Sequence, residues 1–173
     1  GYPTMCPVRP EHREYIHSIV DDITSRYEVD GVDLDYVRFP FKAPNSYYCY
    51  CGYCRHKFEA EAGLDALEIK YGTEEWSKWV EWRASQITSF VERATQIVKS
   101  NRPEATLQAY IAPWFSDTSK REEIYKIKER FGQDIKGLST KLDIFAPMLY
   151  HRYVDDPDLK IDMEVGWVAN MTR

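Results

Sequence analysis

The sequence predicts an α/β fold built on a parallel sheet, and three observations carry that prediction. Three apolar runs, Val32–Phe39, Thr106–Ala112 and Leu142–Tyr150, have the length and composition of buried strands. Amphipathic helical stretches separate them, and a crossover of that kind returns the chain to the same end of the sheet, so neighbouring strands run parallel. The 173 residues contain no repeat, low-complexity tract or Gly/Ser linker, which predicts a single domain over residues 1–173.

The first helix is predicted from Pro10, a residue that suits a first turn, through the apolar positions Tyr15, Ile16, Ile19, Val20, Ile23 and Tyr27. The strand Val32–Phe39 follows and ends at Pro40. Residues 40–52 read as a loop rich in Tyr, Pro and Asn, with a short helix over Tyr53–Ala62 stopped by Gly63. Thr73 is a good N-cap for a helix of about seven turns. Its apolar stripe runs through Trp76, Trp79, Val80, Ile87, Phe90, Val91, Ala94, Ile97 and Val98 to a stop before Pro103. The second strand, a helix over Ser119–Phe131 and the third strand complete the pattern. An eight-stranded barrel takes about 250 residues. The expected architecture is therefore of the TIM (β/α)8-barrel type, as a partial barrel of three to four βα units. Its exposed sheet edges would suit homo-oligomer formation.

Charge and hydropathy narrow the function classes. Lys and Arg number 23 against 28 Asp and Glu, a net charge of −5 that does not suit a phosphate backbone or an anionic lipid surface. No apolar run approaches the ~18 residues needed to span a bilayer. A soluble protein is expected, with no nucleic-acid or membrane partner. Gly1–Pro10 has neither a basic start nor an apolar stretch, so no export signal is read there, and the compartment stays open, a secreted or periplasmic one included. The 25 aromatic residues exceed what a core of this size needs, which points to rings lining a binding surface. Sugars, whose C–H faces stack on such rings, are one ligand class.

Two constellations carry chemistry. In Asp30–Pro40, period-two alternation puts Asp33, Asp35 and Val37 on one strand face. Paired carboxylates on a buried face repel each other and resist ionisation, leaving a protonated acid beside an ionised partner; the same residues also suit a structural role, satisfied by arginine or backbone donors. The second constellation is Cys49, Cys51 and Cys54, within six residues, with Cys6 far upstream. In a barrel the segment ahead of the first helix and the loop after the next strand share one face. Four thiolates there would form a closed tetrahedral zinc site of structural type. One disulfide with two free thiols, or His56 in place of Cys6, are the alternatives.

The acidic strand resembles the fourth strand of (β/α)8 glycoside hydrolases, in which an acid near the C-terminal end commonly donates a proton; Asp35 stands at the matching position. It is similar to the family 18 chitinase pattern D-G-x-D-x-D-x-E through Asp30, Gly31, Asp33 and Asp35, with Val37 where that pattern has its final Glu. Family 42 glycoside hydrolases, the β-galactosidases, pair a fourth-strand acid with a four-cysteine zinc site, which Cys6, Cys49, Cys51 and Cys54 resemble. Those enzymes usually have Asn-Glu where this chain has Leu34-Asp35. The strand also resembles glycoside hydrolase-like barrels with D-G-[VI]-x-L-D-Y-x-R-[FY]-P.

The resemblance implies a hydrolase of O-glycosidic bonds in a carbohydrate substrate. Asp35 would be its general acid/base, Asp33 would lie beside it, and a structural zinc would be bound. Tyr36, Arg38, Trp114, Tyr150, His151 and Arg152, at or near C-terminal strand ends, would bind the sugar. The competing class is a carbohydrate-binding barrel without turnover, or a segment whose nucleophile lies outside this chain.

Overall fold

The computed structural model describes residues 5–40, 47–112 and 121–148. In chain order these form α1 (Pro10–Arg26), β1 (Gly31–Leu34), α2 (Gly52–Ala62), α3 (Glu74–Asn101), β2 (Thr106–Ile111), α4 (Arg121–Phe131), α5 (Ile135–Ser139) and β3 (Ile144–Pro147). The strands make one sheet of order β1-β2-β3, parallel throughout, in the register Asp33 opposite Gln108 and Gln108 opposite Ile144. Leu34, Leu107, Ala109 and Ile111 are buried on the face covered by helices, whereas Asp33 and Ile144 stand exposed on the other.

Helix α3 organises the core. Thr73 Oγ1 accepts from the Trp76 N–H (3.3 Å), and Glu74 and Glu75 complement the helix dipole in the first turn. Every position of the expected stripe is buried, and Trp82, Arg83 and Ala84 join them because this helix has neighbours on several sides: α1, α2, α4, α5 and β2.

Helix α1 departs from expectation. Of its apolar positions only Val20 is fully buried, while Tyr15 and Ile19 are exposed, as is Tyr27 just past its end. Its contact with α3 is made instead by polar and aromatic groups. Arg13 donates to the Gln86 carbonyl and the Ser89 hydroxyl, and the His17 ring stacks on Phe90 at 4.5 Å. The opposite side of α1 meets nothing among the described residues.

The first strand is shorter than its apolar run. It stops at Leu34, and a turn at Asp35 and Tyr36 follows, with Tyr36 at φ +53° and the Arg38 N–H bonded to the Tyr36 carbonyl (2.7 Å). Val37, Arg38 and Phe39 are still buried, which is why they read as strand, but their backbone bonds to the end of α4 instead of a ladder. The Phe39 N–H donates to the Phe131 carbonyl (2.9 Å), and Gln133 Nε2 lies 3.4 Å from the Val37 carbonyl. The third strand begins at Ile144 because Leu142 still closes a helical bond onto Leu138. The five-residue α5, too short for a periodic signal, was not foreseen.

Two side chains lock the sheet. Gln133 is wholly buried at the C-terminal ends of β1 and β2, accepting from the Ala112 N–H (3.0 Å) and donating to the Tyr110 carbonyl (2.8 Å). At the other end Asp143 Oδ2 accepts from the Leu107 N–H (2.8 Å) and lies 3.0 Å from Lys99 Nζ. Burial alone would raise the Asp143 pKa; the Leu107 N–H and the Lys99 ammonium outweigh it and hold the carboxyl below its ordinary value.

Gln133→Ala should lower unfolding stability by about 2 kcal/mol in chemical denaturation, since it removes the partner of a buried N–H. Asp143→Ala should cost about 1 kcal/mol, a figure discounted because the side chain is part-exposed. A depressed folded-state pKa means that this contribution is complete above the unfolded carboxyl pKa of about 3.9 and is lost as the pH falls through the folded value. The gap between wild type and Asp143→Ala should therefore be constant at neutral pH and close below about pH 4.

Candidate functional site

The four cysteines converge. Cys6 lies just ahead of α1, Cys49 and Cys51 lead into α2, and Cys54 is in its first turn. Their sulfurs all lie within 4.8 Å of one another, with Cys6 to Cys54 at 3.3 Å and Cys6 to Cys51 at 3.8 Å, and all four are free thiols. Hydrogen bonds from Cys49 and then Cys54 stabilise a thiolate at Cys6 and lower its pKa to about 2. In Cys49 a bond from Cys54 works against the proton, but the Cys6 thiolate and burial prevail and raise it to about 12. Cys54 is pushed up, first by its bonds to Cys49 and Cys6 and then by burial. One negative charge thus forms readily and opposes the next, so a divalent cation is what would let all four ionise. The donor set and spacing are compatible with a metal site.

Aromatic packing holds this cluster to the core. Phe58 of α2 meets Trp79 edge-on at 4.9 Å and Trp82 at 5.4 Å, the two indoles stack at 5.0 Å, and Tyr50 stacks on Trp79 at 5.4 Å. One turn beyond Trp79, Arg83 is wholly buried. Its guanidinium lies 4.6 Å over the Phe39 ring and donates to the Glu129 and Arg130 carbonyls. Burial lowers its pKa to about 10, against the opposing effect of Tyr50, Glu129, Cys49 and Cys54. It remains a cation at neutral pH, close enough to the cysteines to feel their charge.

The two carboxylates occupy different settings. Asp33 is on β1, exposed, with Oδ2 accepting from Gln108 Nε2 (3.2 Å) across the ladder. Asp35 is past the end of the strand, in the turn, also exposed, with Oδ1 accepting from the Tyr36 N–H (2.8 Å). The expectation of a buried face is corrected here, because nothing among the described residues covers this side of the sheet. Tyr36 is 68% exposed, and the guanidinium of the buried Arg38 lies 4.6 Å from its ring centroid and 5.2 Å from that of Phe131. Trp114, Tyr150, His151 and Arg152 lie outside the described residues.

A cavity of 920 Å³ opens beside the cysteines, lined by Tyr47, Tyr50, Ile69, Tyr71 and Trp76 together with Tyr48, Cys49 and Cys51. Neither Asp33 nor Asp35 is among its described lining residues. Sequence reasoning missed Glu129, Gln108 and Gln133 as well. The tyrosine-rich loop was a signal for the cavity; nothing local pointed to its partners on α3 and α4.

Comparison with known proteins agrees with this architecture. The PgaB (BpsB) glycoside hydrolase domain from Bordetella bronchiseptica superposes with a TM-score of 0.74 at 15% identity, over 99% of this chain and 47% of that one. A cold-adapted β-galactosidase from Rahnella sp. R3 gives a TM-score of 0.53 at 15% identity, over 88% of this chain and 25% of that one. The chain thus spans about half of the first structure and a quarter of the second, and its fold is part of a TIM barrel. Among curated proteins none matches significantly. No described helix is long and apolar enough to cross a membrane. The glycosyl hydrolase-like 10 family matches residues 3–152, most of the sequence, and the chain belongs to that family.

Proposed function

We propose that this chain supplies the acid/base half of a glycoside hydrolase acting on O-glycosidic bonds of a carbohydrate, with Asp35 as general acid/base and Asp33 beside it. The observation that carries this reading is the position of Asp35. It follows the C-terminal end of a parallel strand, where barrel enzymes keep their chemistry, with one oxygen held by a backbone N–H and its side chain open to a substrate. Protonation of the leaving oxygen by a positioned carboxylic acid is worth about 10²- to 10⁴-fold in rate. Gln108 would orient Asp33 across the ladder. The nucleophile is assigned to a part of the barrel outside these residues, and Tyr36, Arg38, Trp114, Tyr150, His151 and Arg152 to the sugar.

The reading includes a structural zinc on Cys6, Cys49, Cys51 and Cys54. A Zn–S bond of about 2.3 Å sets a tetrahedron edge of roughly 3.8 Å, the Cys6 to Cys51 separation. Four thiolates leave no open coordination position, so the ion would supply cross-linking of the segment ahead of α1 to the start of α2, and no chemistry on the sugar. The outer edges of β1 and β3, which pair with no strand among the described residues, are assigned to further pairing, with a second copy as one form of it. The competing reading, a carbohydrate-binding barrel without turnover, is favoured by Val37 in place of a glutamate and by an aromatic cavity whose described lining includes neither carboxylate.

In the full-length protein Asp35→Asn should reduce kcat/KM on an unactivated oligosaccharide by about 10²-fold or more, with a smaller loss on nitrophenyl glycosides, whose leaving group needs less protonation. Equal turnover by the variant would rule Asp35 out as the acid, and sugar binding without hydrolysis by either protein would favour the binding module. Elemental analysis should find one zinc per chain, reduced sharply by Cys51→Ser. Chelation should speed hydrogen exchange over residues 47–56 before the sheet opens. A natively folded, metal-free protein would overturn the zinc assignment.

A further inference from the structure

We propose that the cavity beside the cysteine cluster is a saccharide-binding platform, separate from the Asp33 and Asp35 face, on which a neutral pyranose ring stacks against Tyr71 and Tyr47. The proposal deepens the carbohydrate reading above and rests on it for the ligand class. Three observations support the platform itself.

The first is the aromatic floor. Tyr47 meets Trp76 edge-on at 4.9 Å, Tyr71 tilts against the same indole at 5.2 Å, and the two tyrosine rings stack at 5.9 Å. Trp76 is 5% exposed and serves as the base, whereas Tyr71 is 66% exposed and presents a ring face to solvent. Ring faces carry negative potential and attract the weakly positive axial C–H groups of a sugar. Water leaves both surfaces in the process.

The second is the device that fixes the floor. Glu129 comes from α4, is 4% exposed, accepts from Trp76 Nε1 at 2.7 Å and lies 3.5 Å from the Tyr47 hydroxyl. A buried carboxylate thus holds one ring and faces the hydroxyl of a second, so little ordering remains to be done on binding. Burial, then the Glu129 charge, push the Tyr47 hydroxyl well above its ordinary pKa, so it stays protonated as a donor toward that carboxylate.

The third observation selects a neutral ligand. The Glu129 carboxylate does not line the cavity, and no Lys, Arg, Asp or Glu is among the described lining residues. What the cavity offers is ring faces, phenol hydroxyls and the Ile69 side chain. A polyhydroxylated ring with one apolar face matches such a wall, and a strongly charged ligand does not. Cys49 and Cys51 form one side of the cavity, so a zinc joining them to Cys6 would also help set the position of Tyr47 and Tyr50.

The test is calorimetric titration of the full chain with cellotriose, β-1,4-galactotriose and chitotriose, in an Asp35→Asn background so that no sugar is turned over. At least one trisaccharide should bind saturably, Tyr71→Ala should weaken it about tenfold or more, and Tyr71→Phe should retain it, because the ring and not the hydroxyl makes the contact. Tyr71 is exposed, so its loss leaves the core intact, and circular dichroism checks this. No saturable binding of any of the three sugars, or binding insensitive to Tyr71→Ala, overturns the platform. Hydrolysis that depends on Asp35, with binding insensitive to Tyr71, overturns the platform and leaves the hydrolase reading standing. Tyr71-dependent binding by a full-length wild type that hydrolyses none of the three sugars supports the platform and counts against the hydrolase reading.

Discussion

The buried C-terminal end of α4 is the constraint around which this structure is arranged. The last carbonyls of a helix have no partner within it, and a buried end must find donors elsewhere. Here the Arg83 guanidinium takes the Glu129 and Arg130 carbonyls, the Phe39 N–H takes that of Phe131, and Gly132 turns the chain at φ +70° with its own N–H on Lys128. A Cβ on Gly132 would come within 2.7 Å of the Phe39 ring, so the turn requires glycine for contact as well as for conformation. Each donor belongs to a different element, and satisfying one helix end joins α3, the segment after β1 and the link to α5.

Both candidate regions connect to that junction. Upstream of it, Glu129 reaches back to Trp76 and the tyrosine cavity; downstream, Gln133 ties the ends of β1 and β2 beneath the turn that carries Asp35. The cysteine cluster is held from α3, the helix that carries Arg83, since Trp79 and Trp82 support Phe58. Arg83 thus meets the end of α4 through its hydrogen bonds and the segment after β1 through the Phe39 ring.

What could be read in the sequence follows from how local the information is. The α3 stripe and its Thr73 cap were legible because a helix repeats its pattern over seven turns. The cysteines were legible because ligand spacing is a local property, although Cys6 needed the topology to join them. Val37 to Phe39 were misread as strand because burial, not ladder bonding, sets their composition, and the groups that bury them lie some ninety residues on. Tyr15 and Ile19 show the converse: apolar spacing identifies a helix without saying how much of its surface is covered. The place of Asp35 just past a strand end could be read locally, whereas the contact of Glu129 could not, since it is made to a tryptophan 53 residues away.

Tyr36 sits at a positive φ without being glycine, a conformation that costs about 1 kcal/mol over the glycine alternative. Random substitution would relax that turn most cheaply by deleting the side chain. The same deletion would remove the ring that lies 4.6 Å over the guanidinium of Arg38, a residue now 8% exposed. Backbone ease and the stacked cation cannot both be had at this position, so a library selected for a relaxed backbone alone would trade the ring over Arg38 for a smoother turn.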